Sequence, residues 1–340
     1  MTLQASAYAL VHPSFVEPEI IVQQSQVSGF VDLLAESQVR VRLAEDDLLV
    51  YIKSMNLRTR IAAGTTGFNE LPGVDISMSM ISTATYLLQV AAQYNHHDTA
   101  AAARWGFSAP EAYRLGMWQA NFQLVRDACL YGMNPQNGEG LINAPGATSV
   151  NLPADSNGND TVLTYDNGQM AFFLSQQIQA IKTRTLQMGV GREFTILGPQ
   201  RTLGSFEYNV VQLVQFQREG AGTASTKETL QKIIMANGDT LNWVYDDTLI
   251  GKGNGGADMV ILDMPKIVRP TTASWNTNAA AAVSPGNDTC ITQYSDMAAP
   301  REIISPGPRG MTDVLQELRI TSGWAPRSAA LTLISMPYSS

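Results

Sequence analysis

Hydrophobic and polar positions along this chain follow two periods. Residues 39–43, Val-Arg-Val-Arg-Leu, alternate strictly, as a half-buried strand does. Asp46 and Asp47 then mark a turn. Further on, two β-capable runs flank a Gly-rich tip. The first is Asn56-Leu57-Arg58-Thr59-Arg60-Ile61, the tip extends from Gly64 to Gly73, and the second run begins at Val74 and continues through Ser77-Met78-Ser79-Met80. The pattern predicts a long hairpin. Each face is only partly apolar, and a two-stranded ribbon is marginal by itself in water, so it needs a second surface. A neighbouring subunit and the hairpin's own domain both satisfy that need.

The period then changes to that of helices. Over 108–131, Ser108 and Glu111 form a capping box, Pro110 sits in the first turn, and Leu115, Trp118, Phe122, Val125 and Cys129 recur at spacings of three and four. Gly132 is a natural stop. A second long helix is expected over 166–188, capped by Asp166 and Gln169, striped by Met170, Leu174, Ile178, Ile181 and Met188, and ended by Gly189. Shorter helices are expected at 203–213 and 226–235, and strands at 194–197, 258–262, 314–321 and 330–335. Segment 270–287, rich in Ala, Thr, Asn and Ser, is a surface loop. Helices and strands alternate without βαβ spacing, so the fold class is α+β. At about 150 residues per domain, 340 residues imply two compact units. Residues 1–30, interrupted by Pro13 and Pro18, form an extended arm that requires a neighbour for order.

Composition narrows the function. Charged residues make up 15% and hydrophobic residues 44%. An ordinary soluble protein carries roughly 25% charge. Gln, Asn, Ser, Thr and Ala replace the missing charge, which suits surfaces enclosed by neighbours, because desolvating ions is costly. A monomer with a bland surface fits composition equally well. The formal net charge of −8 argues against a protein that grips nucleic acid by its phosphates. Cys129 and Cys290 form no disulfide framework and no zinc spacing, and Cys129 reads as a buried thiol. The start of the chain lacks a signal-peptide pattern and no run of 18 apolar residues occurs, so a soluble, cytoplasmically made protein is expected.

Candidate chemistry is sparse. His96 and His97 beside Asp98 form the sole cluster that points to a metal, and sequence neighbours diverge, unlike an i, i+4 helical pair. Asp155 to Asp160 has the oxygen-rich look of a calcium loop, but Asp160 occupies the position of the turn glycine, so a solvated turn is expected. Gly251-Lys252-Gly253-Asn254-Gly255-Gly256 precedes a strand instead of opening a helix, as a phosphate loop would, and reads as a turn. The five tryptophans are scattered singly, as core anchors. The expectation is no catalytic residue, no metal and no cofactor.

The order of elements is an arm, a long hairpin, a capped spine helix, Tyr131-Gly132 leading to Gly140-Leu141-Ile142-Asn143, a second helix, a central strand, a loop-rich insertion and returning strands that include Leu318 to Arg327. This order resembles the major capsid proteins of tailed phages, of the Hong Kong 97-like fold. The resemblance implies an N-terminal arm over 1–35; a peripheral domain over 36–53, 84–145 and 305–340 with its spine helix at 108–131; an E-loop over 54–83; and an axial domain over 146–304. It implies inter-subunit contacts at Arg58, Arg60, Phe68 and Glu70 of the E-loop and axial-loop contacts at Arg218 and Glu219. Arg58, Arg60 and Lys53 would meet a neighbour's Glu45, Asp46 or Asp47.

The same resemblance implies an icosahedral head shell, part of the virion, self-assembled from pentamers and hexamers in the cytoplasm of a bacterial host. Such a shell encloses double-stranded DNA without sequence-specific binding or a membrane. Portal, separate scaffolding and decoration proteins are the implied partners. Only about 30 to 45 residues precede the first strands, where relatives with a fused scaffolding segment carry a long, charged, helical extension, so scaffolding is expected to be a separate protein or absent. The alternatives are an encapsulin-like nanocompartment, which shares the fold, another self-assembling phage part such as a tail protein, and a monomeric enzyme with an unrecognised site.

Overall fold

The computed structural model describes residues 42–59, 74–104, 106–208, 210–211, 224–267, 289–291, 294–297 and 299–339. In chain order the elements are β1 (Leu49–Thr59), β2 (Val74–Asn95), α1 (His96–Arg104), α2 (Ala109–Leu130), β3 (Thr148–Asn151), α3 (Asn167–Thr185), β4 (Glu193–Gly198), α4 (Gln200–Tyr208), β5 (Val210–Val211), β6 (Ala224–Ser225), α5 (Thr226–Ala236), β7 (Thr240–Tyr245), β8 (Asp258–Asp263), β9 (Arg301–Pro306), β10 (Met311–Thr321) and β11 (Leu331–Met336). The mixture is α+β. The expected arm over 1–35, most of the strand at 39–43, the hairpin tip with Arg60, Phe68 and Glu70, the loop with Arg218 and Glu219, and the 270–287 segment lie outside the described residues.

Contacts divide the described residues into two compact units. The first takes 42–121 and 295–322, and the second 122–294 and 323–339.

The first unit is built on a four-stranded sheet in the order β1-β2-β10-β9. Its pairings are all antiparallel. The long strand β2 serves two partners in succession. Val74 to Ala84 pair with β1, and Thr85 to Asn95 pair with β10. The apolar face of β10 supplies the buried Val314, Leu318 and Ile320, with Leu88 from β2 and Met117 from α2. Asn121 donates through Nδ2 to Oε1 of the buried Gln316 at 3.1 Å, and Arg114 reaches Glu302 at 2.9 Å.

The second unit has a five-stranded sheet in the order β3-β11-β8-β4-β7. β8 and β11 are buried along their whole length: β8 carries the apolar run Met259 to Leu262 between two buried aspartates, and β11 sets buried Thr332 and Ser335 among Leu331, Leu333, Ile334 and Met336. Residues Met170, Leu174, Ile178 and Ile181 of α3, Leu203 and Phe206 of α4, and Leu230 and Ile234 of α5 share one core with Phe194, Ile196, Val260, Leu262 and Ile334 of the sheet. Asp166 caps α3 as its sequence predicts, accepting the Gln169 N–H at 2.8 Å.

Three expectations are corrected by contacts distant in sequence. The helix expected to reach Met188 stops at Thr185, with Leu186 as the left-handed C-cap at φ 57°. The following turn folds back instead: the Asp239 carboxylate, ion-paired with buried Lys182, accepts the Arg192 N–H at 2.8 Å. The helix expected from 203 begins at Gln200, whose N–H is held by Asp247 at 2.7 Å. On α2, Leu115 and Trp118 are exposed, and the buried line is Met117, Asn121, Val125 and Ala128.

Candidate functional site

The residues paired with β1 and those paired with β10 do not overlap on β2. The β1 hairpin therefore extends wholly beyond the part of the sheet that β10 supports. Eleven residues at about 3.3 Å each carry the ribbon roughly 35 Å outward. Met78 and Met80 stand two apart on one face of β2, and Tyr51 joins them because it pairs directly with Ser82. Tyr51, Met78 and Met80 are 61%, 72% and 60% exposed. Large apolar side chains exposed on one face of a two-stranded ribbon are the kind of surface that marks an interaction site. The strict Ser-Met-Ser-Met alternation carries this signal in the sequence.

Of the site residues expected from the sequence, Arg58 alone has a described backbone, where it pairs with Asp75 across the ribbon. Arg60, Phe68, Glu70, Arg218 and Glu219 lie outside the described residues, so none of the expected set is brought together. Glu45, expected to meet a neighbour's basic residue, is ion-paired with Arg301 of its own unit. Sequence reasoning missed the α2 face. Trp118 is 62% exposed, and with Leu115 it adds a second apolar surface to the first unit.

In the second unit, the Tyr131-Gly132 step is locked by a pair of glycines. Gly132 has φ 74° and Gly140 φ 89°. A Cβ on Gly140 would fall 2.5 Å from the Gly132 nitrogen. The Gly140 N–H donates to the Gly323 carbonyl at 2.7 Å, and Asn143 Nδ2 donates to the Tyr131 carbonyl at 2.8 Å. No side chain other than hydrogen fits this close approach.

The titratable groups of the second unit are arranged for structure. A cavity of about 510 Å³ is lined by Arg201, Glu207, Tyr245 and Tyr338 among others. Arg201 grips buried Asp258 at 2.8 and 2.5 Å. Thr202 and the Gly251 N–H complete the shell of Asp258. Glu207 takes Lys227 at 2.5 Å and the Tyr245 hydroxyl at 2.9 Å. Burial works to raise the Asp258 carboxyl, but these hydrogen bonds and the Arg201 charge hold it below the usual range. The bond from Lys227 lowers Glu207, and burial of Lys227 is outweighed by Glu207, which raises the ammonium. The shifts of Asp258, Glu207 and Lys227 all move away from neutrality, opposite to what a general acid or base requires.

Asp155, expected in a solvated turn, is instead buried, and its carboxylate accepts the N–H groups of Asn157, Asn159 and Asp166. Those donors occupy the oxygens a calcium ion would need. The rings of His96 and His97 do not diverge as neighbours on a helix are expected to; their centroids are 3.9 Å apart. Among the described residues no group of three or more His, Cys, Asp or Glu could hold a metal. No helix among them is long and apolar enough to cross a membrane.

The sequence pattern of the family described as "Major capsid protein" matches residues 61–261, more than half of the chain. The chain belongs to that family. Major capsid proteins build the head shell, and this one is a structural phage protein of that kind. Solved capsids share its fold. The capsid of Myoviridae Phage XM1 is 12% identical, with 97% of this chain and 98% of that chain covered at a TM-score of 0.64. The structure of Microbacterium phage Oxtober96 is 12% identical over 97% of each chain, at 0.56. The capsid of an empty GTA particle is 11% identical over 97% of this chain and 96% of that one, at 0.55. The fold of this capsid protein is thus Hong Kong 97-like. No curated protein sequence matches the chain.

Proposed function

We propose that this capsid protein closes with copies of itself, through rings of five and six, into the icosahedral head of a phage virion that encloses double-stranded DNA. The observation that carries the reading is the projecting ribbon with Tyr51, Met78 and Met80 on one exposed face. A ribbon laid on the adjacent copy exchanges burial within the subunit for burial between subunits, so its stability depends on complete assembly. In this reading the 54–83 segment is the E-loop, with Arg58, Arg60, Phe68 and Glu70 contacting the neighbour, and Arg218 and Glu219 stand at the axial tip. In this reading the peripheral domain takes 36–53, 84–145 and 305–340 and the axial domain 146–304.

The subunit acts as a building block and not as an enzyme. It is assembled in the bacterial cytoplasm with a separate scaffolding protein, a portal and decoration proteins. Its acidic balance favours enclosing DNA over gripping it. Charge reversal at Arg58 and Arg60 tests the hairpin: particle yield measured by sedimentation should fall sharply, and an unchanged yield overturns the role given to these two residues.

A further inference from the structure

We propose that Asn254 is a modification site, at which the folded subunit ages by spontaneous deamidation. The chain contains five Asn-Gly steps, at Asn137, Asn157, Asn167, Asn237 and Asn254. In such a step the backbone nitrogen of the glycine attacks the side-chain carbonyl carbon of the asparagine. A C–N bond forms, the side-chain nitrogen leaves as ammonia and a five-membered imide results. Water then opens the imide at either carbonyl, giving aspartate or isoaspartate. The reaction consumes one water and releases one ammonia, with no change of oxidation state. It requires a free glycine N–H, an unrestrained asparagine side chain and a backbone able to rotate.

Four of the five steps lack one of these. The N–H groups of Gly138, Gly158 and Gly238 donate to the carbonyls of Pro135, Asp155 and Met235 at 3.0, 3.0 and 2.9 Å. Asn167 opens the 19-residue helix α3, whose capped first turn fixes its backbone. Asn254 differs on each count. Its side chain is exposed and, among the described residues, hydrogen-bonded to nothing, and the Gly255 N–H finds no acceptor among them. Gly253, Gly255 and Gly256 surround it, with Gly255 at φ 67° and open space where a Cβ would be. A long 3.3 Å bond from Ala257 N–H to the Asn254 carbonyl is what rotation must break.

The product would place a new carboxylate beside Lys252 in a turn tethered to β11 by the bond from Asn254 N–H to Ser335 Oγ, 2.9 Å. Isoaspartate would also lengthen that turn by one methylene. Attack requires loss of the glycine amide proton, so the rate should rise with pH.

The test is peptide mass spectrometry of the purified full-length protein, incubated in its folded state in mildly alkaline buffer and in a urea-unfolded control. The expected result is that the Asn254 peptide gains the amide-to-acid mass change several-fold faster than the other four, and faster at higher pH. Isoaspartate should appear at this position and be absent in Asn254→Gln. Retention of the Asn254 amide while another step converts, or conversion of all five at one rate in the folded protein, would overturn the assignment.

Discussion

Ala84 and Thr85 are consecutive in β2 and belong to different pairings, Ala84 opposite Leu49 and Thr85 opposite Thr321. Between these two residues the supported sheet ends and the free ribbon begins. The assembly reading depends on that division, since among the described residues every residue from Val74 to Ala84 has only the hairpin partner beside it in the sheet.

Replacing both methionines, Met78→Asp with Met80→Asp, should leave the fold intact and abolish or strongly reduce assembly. Each buried methionine contributes about 1.5–3 kcal/mol to a contact, and the shell repeats the contact in every copy. Circular dichroism should match the parent while sedimentation shows loss of particles. Full-yield particles would show that this face is not an interface.

Gly140→Ala should lower stability by well over 1 kcal/mol, because a left-handed φ is combined with a Cβ held against the Gly132 backbone. The urea midpoint of the unassembled subunit reads this directly. A loss below a few tenths of a kcal/mol would mean that the turn relaxes freely.

The buried pair Lys182 and Asp239 predicts strong coupling. Lys182→Met alone should cost about 3–5 kcal/mol by leaving a buried carboxylate without its cation, whereas the double variant with Asp239→Leu should cost much less. A double-mutant cycle in chemical denaturation gives the coupling, and additive effects would contradict it.

Leu186→Gly should be neutral or stabilising, by up to about 1 kcal/mol, since the left-handed cap strains leucine and its side chain is 85% exposed. A clear destabilisation in the denaturant midpoint would show that Leu186 makes a contact the subunit needs.

Asp258 predicts the acid side of the stability profile. Burial opposes its charge, but Arg201, Thr202 and Gly251 favour it, so its folded pKa lies below the unfolded value of about 3.9. Its contribution is complete above the unfolded pKa and is lost as pH falls through the folded one. Asp258→Asn should therefore be destabilised near neutrality, with the gap to the parent narrowing below about pH 4. A gap independent of pH would contradict this.

Much of the fold was legible where local pattern and tertiary packing agree. The cap at Asp166, the stripe from Met170 to Ile181 and the apolar run Met259 to Leu262 of β8 are each specified within a few residues. The strand β7 was missed because its burial alternates among polar side chains. The start of α4 was displaced because Asp247, far along the chain, supplies its cap. On α2 the sequence stripe pointed to Leu115 and Trp118 as core, yet the subunit leaves both exposed. Periodicity finds residues that need cover, and cannot say whether the same chain provides it. That ambiguity also limited the site: the alternating methionines were visible, but their exposure was not.

The most direct test of the central claim is sedimentation of the purified protein together with negative-stain electron microscopy of its fractions, with scaffolding partner supplied. Shell assembly predicts closed icosahedral particles, or rings of five and six subunits. A single monomeric species near 36.8 kDa across a wide concentration range would contradict it.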